Sequence, residues 1–194
     1  MNPAWLLALF ALVAIGIGLL AWHFERKRRL AMQALAAELG FRYAARDPAG
    51  LQARLERLFP QLDDGHNRYA YNVVWGERNG RRLHLFDQHY ETYSHDSKGR
   101  RTTHHYHRSF VAVDHDLDLG RLDLRPEGFF DKVASVFGFD DIDFESAEFS
   151  RRYHVKAQDR KLAYDVIHPQ MIEFLLRVEP LHLSAAGTAL LLRR

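Results

Sequence analysis

The chain has 194 residues, a formal net charge of +2, 47% hydrophobic and 12% aromatic residues, and no cysteine. The lack of Cys excludes disulfides, thiolate metal sites and a Cys nucleophile, and the apolar content is too high for a disordered chain. Without the cations of Arg26, Lys27, Arg28 and Arg29 the charge of +2 becomes −2, which counts against a nucleic-acid-binding domain, since that needs a concentrated basic face.

Every residue from 4 to 22 is apolar or Gly. As a helix this stretch is about 28 Å long, against a hydrocarbon core of about 30 Å. Trp5 and Trp22 lie at its two ends, where indoles favour the headgroup layer. A buried core helix would carry a polar face. A cleaved signal would have its basic residues before the apolar run, whereas Arg26, Lys27, Arg28 and Arg29 follow it. The expectation is an uncleaved single-pass anchor in a bacterial inner membrane. Positive charge beside a span stays in the cytoplasm, so the N-terminus faces out and the rest faces in. The same four cations also suit anionic headgroups. Ala14 and Gly18 form a small-xxx-small pair that lets two such helices approach.

Met32, Leu35 and Leu39 recur at helical spacing, with Ala31 and Ala36 alongside, and Gly40 is a stop. The anchor helix is expected to continue into the cytoplasm and dock by this stripe. The expected organisation is an anchor over residues 1–24, a juxtamembrane helix over 25–40 and a cytoplasmic α+β domain over 41–194. Residues 41–45 read as a strand. Asp47-Pro48 reads as a helix start, with Leu51, Leu55, Leu58 and Phe59 on one face and Pro60 as the end. Residues 69–75 and 82–93 flank Asn79-Gly80, a hairpin signal. A polar loop over 94–101 leads to a third strand over 102–113, completing an antiparallel meander.

Residues 122–124 read as a short strand, Pro126-Glu127 as the start of a helix ending at Gly138, and the acidic stretch over 140–143 as a loop. Residues 149–156 alternate like a strand. Asp159 caps a helix to Ile167, Pro169 starts another, and residues 181–183 and 189–192 form a hairpin about Gly187. The fold class is therefore α+β, an N-terminal transmembrane helix followed by one domain with an antiparallel sheet and several packed helices. The run Phe144-Glu145-Ser146-Ala147-Glu148-Phe149-Ser150-Arg151-Arg152-Tyr153-His154-Val155, followed by Asp159, Ala163, Pro169, Met171 and Leu175, resembles a bacterial family of membrane-anchored proteins of unknown function. The resemblance covers roughly residues 120–192 and brings no functional residue with it.

Seven histidines crowd the meander: His84, His89, His95, His104, His105, His107 and His115. Strand periodicity puts His105 and His107 on one face and His104 on the other. Across the loop over 94–101, one of the two possible registers sets His89 against His107, with His105 and Glu91 on the same side. Imidazoles from His89, His105 and His107 suit zinc or copper. Two other readings stay open: a solvated strand face and a surface that titrates near pH 6.5. The segment Asp114-His115-Asp116-Leu117-Asp118 resembles the start of a calcium loop, but Leu119 and Arg125 stand where Gly and Glu are required. No HExxH, P-loop, GxGxxG, GxSxG or SxxK motif occurs. The sequence thus points to a membrane-tethered binding or scaffold module that meets the lipid bilayer and a protein partner there and takes no nucleic acid. The second reading is a metal-dependent hydrolase or sensor.

Overall fold

The protein is described from a computed structural model covering residues 4–128 and 141–194, with side chains in the first helix from Leu9 onward. One helix, α1 (Ala4–Leu39), runs without a break through Trp22 and the basic cluster, crossing the expected boundary at residue 24. Its Leu9–Leu39 portion is long and apolar enough to cross a membrane, and no part of its most apolar stretch is buried. Phe10 and Ile17 are 72% and 62% exposed. A core helix of a soluble domain would be covered, so α1 is read as a membrane anchor.

The helix ends where Gly40 takes a left-handed φ of 68°. Strand β1 (Arg42–Arg46) follows. The next helix, α2, is shorter than Asp47-Pro48 suggests: it spans Leu51–Glu56 behind Gly50. Asp47 acts before the helix, accepting from the backbone of Ala49 and Gln52. Pro60 opens a 3₁₀ turn, Pro60–Leu62.

Strands β2 (His66–Arg78), β3 (Arg81–His95) and β4 (Arg101–Asp114) form the expected meander. Asn79 and Gly80 both have positive φ, as a two-residue type I′ turn requires. Then come β5 (Arg121–Pro126), α3 (Ala147–Arg152), β6 (Tyr153–Ala157), α4 (Arg160–Val166), α5 (Pro169–Arg177), β7 (His182–Ala186) and β8 (Ala189–Arg193). Asp159 caps α4 through Lys161 N–H, and Pro169 opens α5, as expected.

Two expectations change. Pro126 closes β5 instead of opening a helix, and the remainder of that helix falls outside the described residues. Residues 147–152 are helical, because Ser146 accepts from Phe149 N–H and Glu148 occupies the first turn. Only Tyr153 onward is strand.

All described pairings are antiparallel, in the order β1-β2-β3-β4-β8-β7-β5-β6. The α+β class is thus the observed one. The β7–β8 hairpin lies in the middle of the sheet, between the meander and β5-β6. On one face, α2 and the 3₁₀ turn bury Leu55, Phe59 and Leu62 against Phe86, Phe110, Ala112 and Leu191. On the other, α3, α4 and α5 cover Leu124, Val155 and Leu183. Strand alternation places Leu85, Val111, Leu192 and Leu183 on that second face. There α1 docks, with Met32 and Ala36 buried on Val74 and against Leu85, as the helical stripe foretold. Burying Met32 alone contributes about 2 kcal/mol.

Candidate functional site

Asp87 lies on the α1 face of β3, four per cent exposed at its side chain. Buried carboxylates need partners, and Asp87 has three. Arg28 donates through Nε at 3.1 Å and Nη2 at 2.7 Å, Ser109 Oγ donates at 2.6 Å, and Asn72 Nδ2 donates at 3.0 Å. Arg28 also reaches Ser109. Burial pushes the Asp87 carboxyl up, but the hydrogen bonds from Arg28, Ser109 and Asn72 and the Arg28 charge outweigh it, so the group is held below the ordinary 3.8. Of the basic cluster, then, Arg28 is built into the fold. Arg26 sits over the Trp22 ring and Arg29 pairs with Glu25 one turn back.

Asn72 reaches Asp87 because β2 is irregular. Its register shifts twice, between His66 and Tyr69 and between Tyr71 and Val74. Each bulge holds an Asn in the left-handed region, Asn67 at φ 50° and Asn72 at φ 50°. Bulges re-aim side chains, and these two aim amides at carboxylates. Asn72 serves Asp87. Asn67 donates to Glu91 Oε1 at 2.6 Å.

Glu91 opens a second cluster farther along the same face. The β3–β4 register pairs His89 with His107 and Glu91 with His105, the arrangement in which these groups share a side. His89 Nε2 lies 3.2 Å from His105 Nδ1, and His105 Nδ1 lies 3.5 Å from Glu91 Oε1. Ligand atoms of His89, Glu91 and His105 all fall within 4.8 Å of one another. The Nδ1 of His89 meets the carbonyl of Asn67 at 3.3 Å. His66 Nε2 is buried, has no hydrogen-bond partner, and stands 3.7 Å from Glu91 Oε2.

His107 is adjacent but turned elsewhere. Its ring is 5.0 Å from that of His89, while its Nδ1 meets Tyr71 Oη at 2.9 Å. Burial, then Asp87 and Tyr69, push the Tyr71 phenol up to about 12, so the hydroxyl keeps its proton beside His107. Burial, then His89 and His105, lower the pKa of His107. Of the three histidines expected together, the fold clusters His89 and His105 with Glu91 and commits one nitrogen of His107 to Tyr71. His104 lies across the sheet on Ser94. His66 was not singled out in the sequence. Only the β2 bulge brings it here, and bulges leave no periodic signal.

A second polar group joins residues of triad type without triad geometry. Asp123 Oδ1 accepts from Ser184 Oγ at 2.8 Å and meets His182 Nε2 at 2.6 Å, and Gln61 Nε2 donates to Ser184. Ser184 spends its proton on the carboxylate and is two per cent exposed, so the set is a core network. Asp114, in the calcium-like segment, pairs with Arg54. Between α1 and the end of α5 lies an open groove of about 620 Å³ walled by Met32, Leu35, Val111 and Leu181.

No protein-family model matches the sequence, and no curated protein does. Among solved structures, the mycobacterial trehalose monomycolate transport factor A, TtfA, is similar in fold, with a TM-score of 0.59 over 86% of this chain and 79% of that one at 15% identity.

Proposed function

We propose that this protein is a membrane-tethered binding or scaffold module. It is anchored once in a bacterial inner membrane with its N-terminus out and its sheet domain in the cytoplasm, and it works by holding a protein partner at the bilayer. One observation carries the reading: the anchor helix is part of the domain's own packing. Arg28, only about 9 Å along the helix from Trp22, is bound twice to buried Asp87, and Met32 and Ala36 are buried about one and two turns on. The sheet is thereby held at a fixed height and orientation, which concentrates its surface near membrane partners. Contact runs from Met32 beside Leu85 to Arg28 on Asp87, so β3 runs antiparallel to α1 and carries Glu91 toward the bilayer side.

Further support is of three kinds. Apolar residues precede the basic cluster, in the order that sets N-out orientation. The resemblance over residues 120–192 supports bacterial origin. The fold shared with a protein named as a transport factor is consistent with a module that binds and does not catalyse.

The test is proximity labelling in intact membranes with the full chain, comparing wild type with Arg28→Ala. A partner labelled by the wild type and lost in the variant, with insertion unchanged, is the expected result. Equal labelling by both would count against a fixed, docked presentation, and no labelling above an anchor-only control would sink the module reading. Orientation is read separately, since a C-terminal reporter active only outside the cytoplasm would overturn it.

A further inference from the structure

We infer that His89, His105 and Glu91 form a zinc site on the α1 face of the β2–β3–β4 sheet, with His89 Nε2, His105 Nδ1 and Glu91 Oε1 as ligands. This goes beyond tethering and needs none of it.

Spacing is the first ground. Zinc bonds of about 2.0–2.1 Å in a tetrahedron put neighbouring donor atoms about 3.4 Å apart. Two of the three distances are 3.2 Å, between His89 and His105, and 3.5 Å, between His105 and Glu91, and the third lies within 4.8 Å. Two imidazoles and a carboxylate are an established zinc donor set that leaves a position open for water or a further ligand.

Protons are the second ground. The Asn67 carbonyl accepts a hydrogen bond from His89 Nδ1, which in the neutral ring leaves a lone pair on Nε2, directed at His105. His89 cannot then donate to His105. The Nδ1 of His105 hydrogen-bonds His89 Nε2 and has Glu91 Oε1 3.5 Å away, and one proton cannot serve both. A cation at the meeting point of three lone pairs satisfies all of them.

Support from behind the ligands is the third. A ligating His characteristically donates its remote N–H to a carbonyl, and a ligating carboxylate is itself hydrogen-bonded. Asn67 does both, by its backbone to His89 and by its amide to Glu91. It does so from a left-handed bulge position that few residues tolerate. Gly65 completes the cradle, because a Cβ there would stand 2.1 Å from the Glu91 carbonyl oxygen. The Nε2 of His66, which has no hydrogen-bond partner, stands 3.7 Å from the other carboxylate oxygen.

The experiment uses the full chain in detergent, without a His-tag, stripped with chelator and titrated with zinc alone and then with cobalt(II) as a spectroscopic probe. One zinc per chain is expected, with an intense tetrahedral cobalt spectrum that zinc bleaches. His105→Ala, at a side chain 57% exposed, should fold normally and weaken zinc at least tenfold. Asn67→Gly keeps the backbone conformation, removes the amide and should weaken it about tenfold. His104→Ala and His107→Ala should stay within twofold. Absence of stoichiometric zinc, or a weak six-coordinate cobalt spectrum, would overturn the site. Loss of zinc in His107→Ala with retention in His105→Ala would overturn this ligand set.

Discussion

Asp87 carries the ion pair that ties the anchor helix to the sheet, and its chemistry sets how that tie responds to acid. Its folded pKa is held below the ordinary 3.8. The stabilisation is therefore complete above the unfolded value and is lost as pH falls through the folded one. Acid unfolding of the wild type should accordingly steepen below about pH 4, and Asp87→Asn should lack that component, as read by tryptophan fluorescence against pH. Arg28→Ala leaves the carboxylate to Ser109 and Asn72 and should cost about 2–3 kcal/mol in denaturant unfolding. Tyr71 gives an independent check. Its phenol is pushed up to about 12, so Tyr71→Phe should remove one late tyrosinate transition in an alkaline absorbance titration. An unchanged number of late transitions would contradict its burial beside Asp87.

Elements whose signals are local were legible in the sequence. The stripe of Met32 and Ala36, the Asn79-Gly80 turn, the Asp159 cap and Pro169 all act within a few residues, and each appears where expected. The register that sets His89 opposite His107 was one of two open choices, and the strands settle it. Residues 149–152 misled because Phe149, Tyr153 and Val155 alternate like a strand. The Ser146 cap bends the first part into a helix, yet Phe149 still reaches the core at zero exposure. The site was half legible for the same reason. His89, His105 and Glu91 follow from strand alternation, whereas His66, Asn67 and Asn72 depend on bulges in β2 that only pairing with β3 defines. α1 docking makes a prediction at this scale. Ala36 is three per cent exposed against Val74, so Ala36→Leu overpacks the contact and should cost about 1–3 kcal/mol. Faster protease cleavage within residues 25–39 in the membrane-inserted protein would be the readout, and unchanged protection would argue against the docked helix.

At the scale of the molecule, two apolar clusters on opposite faces share one sheet, and β8 joins them. Leu191 belongs to one cluster, while Leu190 and Leu192 pack on the other. The domain should therefore unfold as one cooperative unit. Leu191→Ala, at two per cent exposure, should cost about 3 kcal/mol and shift a probe at Trp75 and one near Phe149 together. Separate transitions would mean that the meander and the β5–β6 side are independent.

The central place of β8 also puts the chain's order of synthesis at odds with its order in space. The anchor leaves the ribosome first and commits the protein to the bilayer. The meander can then pair strand by strand as far as Asp114. Its inner edge, Phe110 to Asp114, must wait for Ala189 to Arg193, a delay of the order of ten seconds at ordinary elongation rates. Through that interval the nascent domain hangs at the membrane surface with half a sheet built and one apolar edge open. A ribosome stalled before Ala189 should hold a chain that is already inserted, already latched through Arg28, and still sensitive to protease beyond β4.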